Sequence, residues 1–328
     1  MELLEPQLNF SPSGVLSPSD WGLILAEGLD AGTFLQGQLT NDVLLLPTGQ
    51  SRLSGYCSAK GRLLASFIVL KLSQDKFLLV CHKDLISATV KRLSMFVLRA
   101  KVKISDASSD YQILGYLGQA ALDSSPALLA AAPWFVSHQA ESYSVQLHPA
   151  KTLAGSLPRV LQISLQAAAS VNEFKQNPIP AISNQDWLLA EVLSGISMVQ
   201  TATVEAFVPQ MLNYESVEGV SFKKGCYPGQ EVVARSQFRG TLKRRAFVVA
   251  CQEPLQVGQD IFSSDEPDQA CGMVSSAAKL ETAQGQQPAW WGIASLQLSA
   301  LQSTLHLGQS AGAVIQPHAL PYPLLADI

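Results

Sequence analysis

Lys223-Lys224-Gly225-Cys226-Tyr227-Pro228-Gly229-Gln230-Glu231 sets a thiol between a lysine pair and a tight turn. A cysteine's nucleophilicity depends on its thiolate, which nearby cations and exposed backbone N–H groups stabilise. Pro228 pre-sets φ and Gly229 can adopt positive φ, so the pair predicts a type II reversal. Glu231 then falls in the first turn of a following helix, where a carboxylate is favoured. Arg235 lies four residues on, in the favourable acid-before-base order. Spacing alone leaves two readings open, a reactive loop and a surface loop with a half-buried cysteine.

Working outward, Phe207-Val208-Pro209-Gln210-Met211-Leu212-Asn213 leads into Gly219-Val220-Ser221-Phe222 and then the lysine pair, and Phe238-Arg239-Gly240 and Lys243-Arg244 follow. Nearer the N-terminus stand Phe34-Leu35-Gln36-Gly37-Gln38-Leu39-Thr40-Asn41-Asp42-Val43 and Cys57-Ser58-Ala59-Lys60-Gly61-Arg62. Together these blocks resemble the folate-binding YgfZ family, relatives of the glycine-cleavage T-protein, an aminomethyltransferase. Its hallmark string is matched at every fixed position by Lys224, Gly225, Cys226, Tyr227, Gly229, Gln230, Glu231 and Arg235. The resemblance runs from Asp20 to the C-terminus and is weakest through 110–180. It implies an α+β fold: two ferredoxin-like α+β domains and a C-terminal antiparallel β-barrel, arranged in a ring as in the T-protein. On this basis we expect a first domain over 1–105 and a second over 106–190. A connecting segment over 191–244 carries the cysteine motif, and the barrel spans 245–328.

The 328 residues carry a net charge of −4, which argues against wholesale nucleic-acid coating. A local basic stretch remains, because seven Lys/Arg against one acid fall between Lys223 and Arg245. It reads either as a solvated loop and strand end or as a site for an anionic ligand or RNA backbone. Five cysteines without C-x-x-C spacing suggest free thiols in a reducing compartment and spell no metal site. Most read as small core residues. Met1–Pro6 has no signal pattern, and no apolar run approaches the roughly 20 residues of a membrane span. A cytoplasmic protein without membrane contact, monomeric, is expected.

Alternation predicts a strand over Trp21–Ala26, with Trp21, Leu23 and Leu25 on one face. A short helix over Asp30–Gly37, a strand over Gly61–Leu72 and its hairpin partner over Lys76–His82 follow. Ile86, Val90, Leu93 and Val97 mark a helix over Asp84–Arg99 with Asp84 as its cap. Lys101–Ile104, Tyr111–Leu117 and Ser142–Leu147 read as strands, with an Ala/Leu-rich helix between the last two. Asn177-Pro178-Ile179-Pro180 reads as a linker. From Arg245 onward, short apolar runs broken by Gly, Pro and Asp predict a small antiparallel barrel or sandwich.

Ser183-Asn184-Gln185-Asp186 opens a helix with a capping-box pattern. Leu188, Leu189, Val192, Leu193 and Ile196 form its apolar stripe. Trp187 falls opposite, on a flank shared with Ala190, Glu191 and Ser194. It reads either as packing on a neighbouring domain or as a ring that stacks on a flat ligand. The family resemblance implies the second: Trp21 and Trp187 contact the folate, a tetrahydrofolate or derivative. It further implies a role in supporting iron–sulfur enzymes and tRNA-modifying proteins, with direct tRNA contact left open. T-protein relatives use an aspartate in a Gly-Gly-x-x-Asp-Asp run, whose acidic pair aligns with Ala65-Ser66 here. Neither side chain can serve as a carboxylate base, so Cys226 is the alternative catalytic group. A folate-dependent methyl- or aminomethyltransferase and an RNA-binding module stand as rival functions.

Overall fold

The computed structural model describes residues 3–128, 130–166, 179–238, 242–281 and 289–325. Two five-stranded antiparallel sheets and one closed six-stranded antiparallel barrel carry the chain. In spatial order the first sheet is Ser51–Cys57, Leu63–Lys71, Lys76–His82, Trp21–Glu27 and Lys103–Asp106. It carries helices α1 (Ala31–Gln36) and α2 (Ile86–Val97). The expected hairpin pairs as read, Ile68 opposite Val80 through Lys71 opposite Phe77.

Trp21–Glu27 does not alternate between core and water, because Gly22 through Ala26 are all buried. The strand is internal to its sheet, touching α2 on one side and the second sheet's Tyr111–Leu117 strand on another. Helix α2 begins later than read: Lys83–Leu85 forms a 3₁₀ turn, and Asp84 does not cap the helix but lies 3.7 Å from His82. Lys101 lies ahead of the strand Lys103–Asp106 rather than within it.

The second sheet runs Gly14–Leu16, Tyr111–Leu117, Arg159–Leu165, Ser142–Gln146, Val136–Gln139, with α3 (Gln119–Ser124) beside it. Its first strand comes from the N-terminal region, which the sequence reading assigned to no strand. Asn177 and Pro178 of the expected linker lie outside the described residues. Its end is pinned: the Pro180 carbonyl accepts from Val15 N–H at 2.9 Å, and Ile182 N–H donates to the Val15 carbonyl at 3.1 Å.

The barrel closes through Arg244–Cys251, Trp290–Gln297, Ala270–Lys279, Asp260–Ser263, Leu305–Leu307 and Val314–His318. Closure leaves no unpaired sheet edge. Between the second sheet and the barrel runs α4 (Asn184–Leu193), whose capping box forms as read, with Ser183 Oγ accepting from Asp186 N–H at 3.0 Å. Trp187, Leu189, Ala190, Val192 and Leu193 are all buried, so α4 is covered on both flanks rather than along one stripe. It touches the barrel strands Ala270–Lys279 and Trp290–Gln297 and the hairpin strand Ala150–Thr152. Among the described residues no helix is long and apolar enough to cross a membrane.

Candidate functional site

The signature loop is held by its neighbours in the first sheet. Gln230 N–H donates to the Tyr227 carbonyl at 3.2 Å, closing the turn across Pro228-Gly229, and Gly229 has φ +79°. That is the positive φ a type II turn needs at its third residue. Helix α5 (Gln230–Phe238) starts at once, with Glu231 in its first turn and Arg235 in its last. A Cβ on Gly229 would sit 2.4 Å from the Ser58 carbonyl oxygen and 2.5 Å from Gly61 Cα. Gly61 in turn has φ +70°, and its Cβ would sit 2.8 Å from Val232 Cβ. Two signature blocks distant in sequence thus meet backbone to backbone, and only glycine permits the approach.

The third block ties down the segment before the loop. Thr40 Oγ1 donates to the Gly219 carbonyl at 2.8 Å and accepts from Gly55 N–H at 2.7 Å. Asn41 Nδ2 donates to the carbonyls of Leu53 and Glu218. Lys224 is buried, its ammonium donating to the carbonyls of Gln36 and Leu39 and lying 4.8 Å over the Tyr227 ring. Gln36 ends α1, where backbone carbonyls lack helical partners and a cation is favoured. Burial lowers the Lys224 pKa to about 8. Lys224 therefore serves the loop's structure, while Cys226 stands exposed beside it. Cys57, Cys81, Cys251 and Cys271 are buried, and burial pushes Cys57 and Cys81 up to about 12.

The expected basic face is thinner than its sequence. Arg245 is buried and ion-paired with Glu215, and Arg244 donates to the carbonyls of Ala270 and Cys271. Arg239 and Gly240 lie outside the described residues. Lys223, Arg235 and Lys243 remain exposed.

The two indoles lie together, in edge contact with ring centroids 6.2 Å apart. Their surroundings differ. Trp21 is half-buried and lines a cavity walled also by Ile68, Trp134, His148, Arg159, Glu191 and Met198. Trp187 has no exposed surface and stands behind that wall. A Cβ on Gly115 would meet its ring at 2.6 Å, and the Arg159 guanidinium carbon lies 5.0 Å from its centroid. Its Nε1–H donates to Glu191 Oε1 at 3.0 Å, so Trp187 bears on the cavity by orienting a carboxylate. Cys226 does not line this cavity.

Glu191 is the cavity's charged acceptor. Its side chain is 13 % exposed and lies 3.6 Å from Arg159. Burial raises its pKa to about 7 despite that neighbour. Arg159 Nη1 donates to the His148 carbonyl at 3.2 Å, while its Nε has no partner among the described residues. Burial, assisted by Arg159, lowers His148 to about 4, so its imidazole is neutral at pH 7. The cavity as it stands has a volume of about 20 Å³, enough for about one water. Trp21 and the unbranched Met198 are half-buried walls of this cavity.

Relatives in sequence decide the family. The chain is 31% identical over 281 residues to the tRNA-modifying protein YgfZ of Hamiltonella defensa, covering 82% of this chain and 80% of that one. The chain belongs to the YgfZ family. A second YgfZ, from Serratia proteamaculans, is 30% identical over 276 residues, with 82% and 81% covered. Residues 11–138 match the model of the GCVT N-terminal domain. The glycine cleavage system aminomethyltransferase T from Bartonella henselae superposes with a TM-score of 0.66 at 16% identity, covering 96% of this chain and 87% of that one. This YgfZ-family chain therefore has the T-protein fold, built mostly of strands with few helices. Ala65 and Ser66, which the family resemblance sets against the T-protein acidic pair, are buried, and Ser66 Oγ accepts from Val199 N–H at 2.8 Å.

Proposed function

We propose that this YgfZ-family protein binds a tetrahydrofolate, with the pteridine head entering the cavity between Trp21 and Glu191. The observation that carries the reading is Glu191, a largely buried carboxylate lining an aromatic-walled cavity. A pteridine edge presents adjacent N–H donors, which a carboxylate accepts in pairs, and its flat rings suit indole walls. The unpartnered Arg159 Nε offers a donor to the ring's acceptors. The donor set therefore fits the group, while its volume requires Trp21 and Met198 to move aside. A bound folate would supply a carrier for one-carbon units. Ala65 and Ser66 in place of an acidic pair count against glycine cleavage as the reaction. In folate-bound form the protein supports tRNA modification, the activity for which its relatives are named. It also supports the iron–sulfur enzymes that the family resemblance implies.

The test is a titration of reduced folates followed by tryptophan fluorescence, on wild type, Trp21→Ala and Glu191→Gln. Saturable quenching in wild type, weakened at least tenfold in both variants, is expected. No saturable response in wild type refutes folate binding; variants that bind as wild type move the site elsewhere.

A further inference from the structure

Beside α5 a second, much larger hollow opens that the folate reading does not use. Its volume is about 1100 Å³, above the about 300–1,000 Å³ of small-molecule pockets. One wall is the α5 face carrying Val232, Arg235 and Ser236, and the opposite wall is Gln297, Leu298 and Ser299 at the end of a barrel strand. Lys243 and Arg244 line it from the barrel's first strand and the residue before it. Among the described residues, three cations and no carboxylate therefore line the hollow, in a protein whose net charge is −4. Arg235 and Lys243 are exposed, so their charges are available to a ligand.

The polar inventory is that of a nucleic-acid groove. Gln210 is fully buried at its floor, with Nε2 bonded to the Val233 carbonyl at 2.7 Å and Oε1 without a protein partner. That oxygen, unpartnered among the described residues, seeks a donor, which a phosphodiester lacks and a ribose 2′-hydroxyl has. At the end of α5 the Phe238 ring is 49% exposed and stands 5.2 Å from Phe222 in edge contact, a surface on which a base can stack.

We infer that this groove binds an RNA phosphodiester backbone, with Arg235 and Lys243 on phosphates and Gln210 on a ribose hydroxyl. The proposal rests on the tRNA half of the proposed function and is independent of the folate half. An acidic peptide would offer the cations carboxylates and Gln210 Oε1 a backbone N–H, so competition by poly-glutamate is the arm that separates it from RNA.

The experiment is fluorescence anisotropy with an end-labelled tRNA transcript between about 50 and about 200 mM salt, the range over which phosphate contacts weaken most visibly. Wild type is compared with Arg235→Gln/Lys243→Gln and with the control Lys91→Gln/Arg99→Gln, whose exposed cations belong to α2 and its end. The slope of log affinity against log salt should fall by about 1.4–1.8 in the groove variant, from about 0.7–0.9 per phosphate, and stay unchanged in the control. Absence of tRNA binding by wild type overturns the proposal. So does a groove variant with the wild-type slope, or poly-glutamate that displaces tRNA at equal concentration. Folate titration of the groove variant should match wild type. A protein that passes the salt test yet binds no folate loses only the earlier reading.

Discussion

Glu191→Gln gives a pH signature that follows from the cavity's electrostatics. Burial lifts the Glu191 carboxyl from 4.5 to about 7, against the pull of Arg159. A carboxyl whose pKa rises on folding contributes stability that is fully present below 4.5 and lost as pH climbs through 7. At about 1.4 kcal/mol per pH unit, that rise corresponds to about 3 kcal/mol. Where Glu191 is ionised, removing it also strips Arg159 of its charged partner. Arg159 keeps its proton throughout this range, since its own pKa falls only to about 10. Because native Glu191 is largely neutral below about 7, the charge pair is absent at the acid end. Its contribution is contained in the raised pKa, so the ionisation of Glu191 sets how the gap between the two profiles changes. Urea unfolding at pH 4.5, 5.5, 6.5 and 7.5, near and around these values, measures both. Wild-type stability should decline relative to Glu191→Gln by about 3 kcal/mol across the series. Profiles that run parallel to within about 0.5 kcal/mol would show a carboxyl ionised at ordinary pH, and the desolvated acceptor proposed for the pteridine edge would be gone.

Other parts of the assembly are open to equally direct measurement. Gly229→Ala must place a Cβ against Ser58 and Gly61 at positive φ; combining backbone strain and overpacking, it should cost about 2–5 kcal/mol. A urea midpoint unchanged from wild type would show that the two blocks can separate freely. Lys224→Met leaves the Gln36 and Leu39 carbonyls without their cation and should cost about 1–3 kcal/mol at pH 7. Because the Lys224 pKa falls on folding, from 10.5 to about 8, wild type should gain stability relative to the variant as pH rises through that window. Thermal melts at both ends check the sign. A disulfide-forming thiol reagent should titrate one cysteine, Cys226, in the native protein and all five in denaturant; a second fast native thiol would contradict the burial of the other four.

The chain announces most of its scaffold and little of its cavity, and the reason is the range over which each is determined. The Pro228-Gly229 turn, the Ser183 capping box and the hairpin of Leu63–Lys71 with Lys76–His82 are settled by residues a few positions apart, so periodicity and turn chemistry expose them. The sequence places Trp187 off its helix's own stripe but leaves open whether it packs on a neighbour or faces a ligand, because a helical wheel shows one helix's own stripe and not what lies on its far side. Here the bare backbone of Gly115, on a strand about seventy residues earlier, receives the ring. Lys224 misled for a related reason: its sequence neighbour is the thiol, but the groups it satisfies are carbonyls at the end of α1. The cavity draws Trp134, His148, Arg159, Glu191 and Met198 from separate segments, and each alone resembles ordinary surface or loop. One local clue was present. Glu191 stands four residues after Trp187, the spacing at which two side chains share a helix face. A carboxylate beside a buried indole must either reach water or be held, and Trp187 Nε1–H and Arg159 hold it. An acid at that spacing from a helix tryptophan, in a helix whose other positions beyond the first turn are apolar, is the pattern by which such a cavity can be sought from sequence.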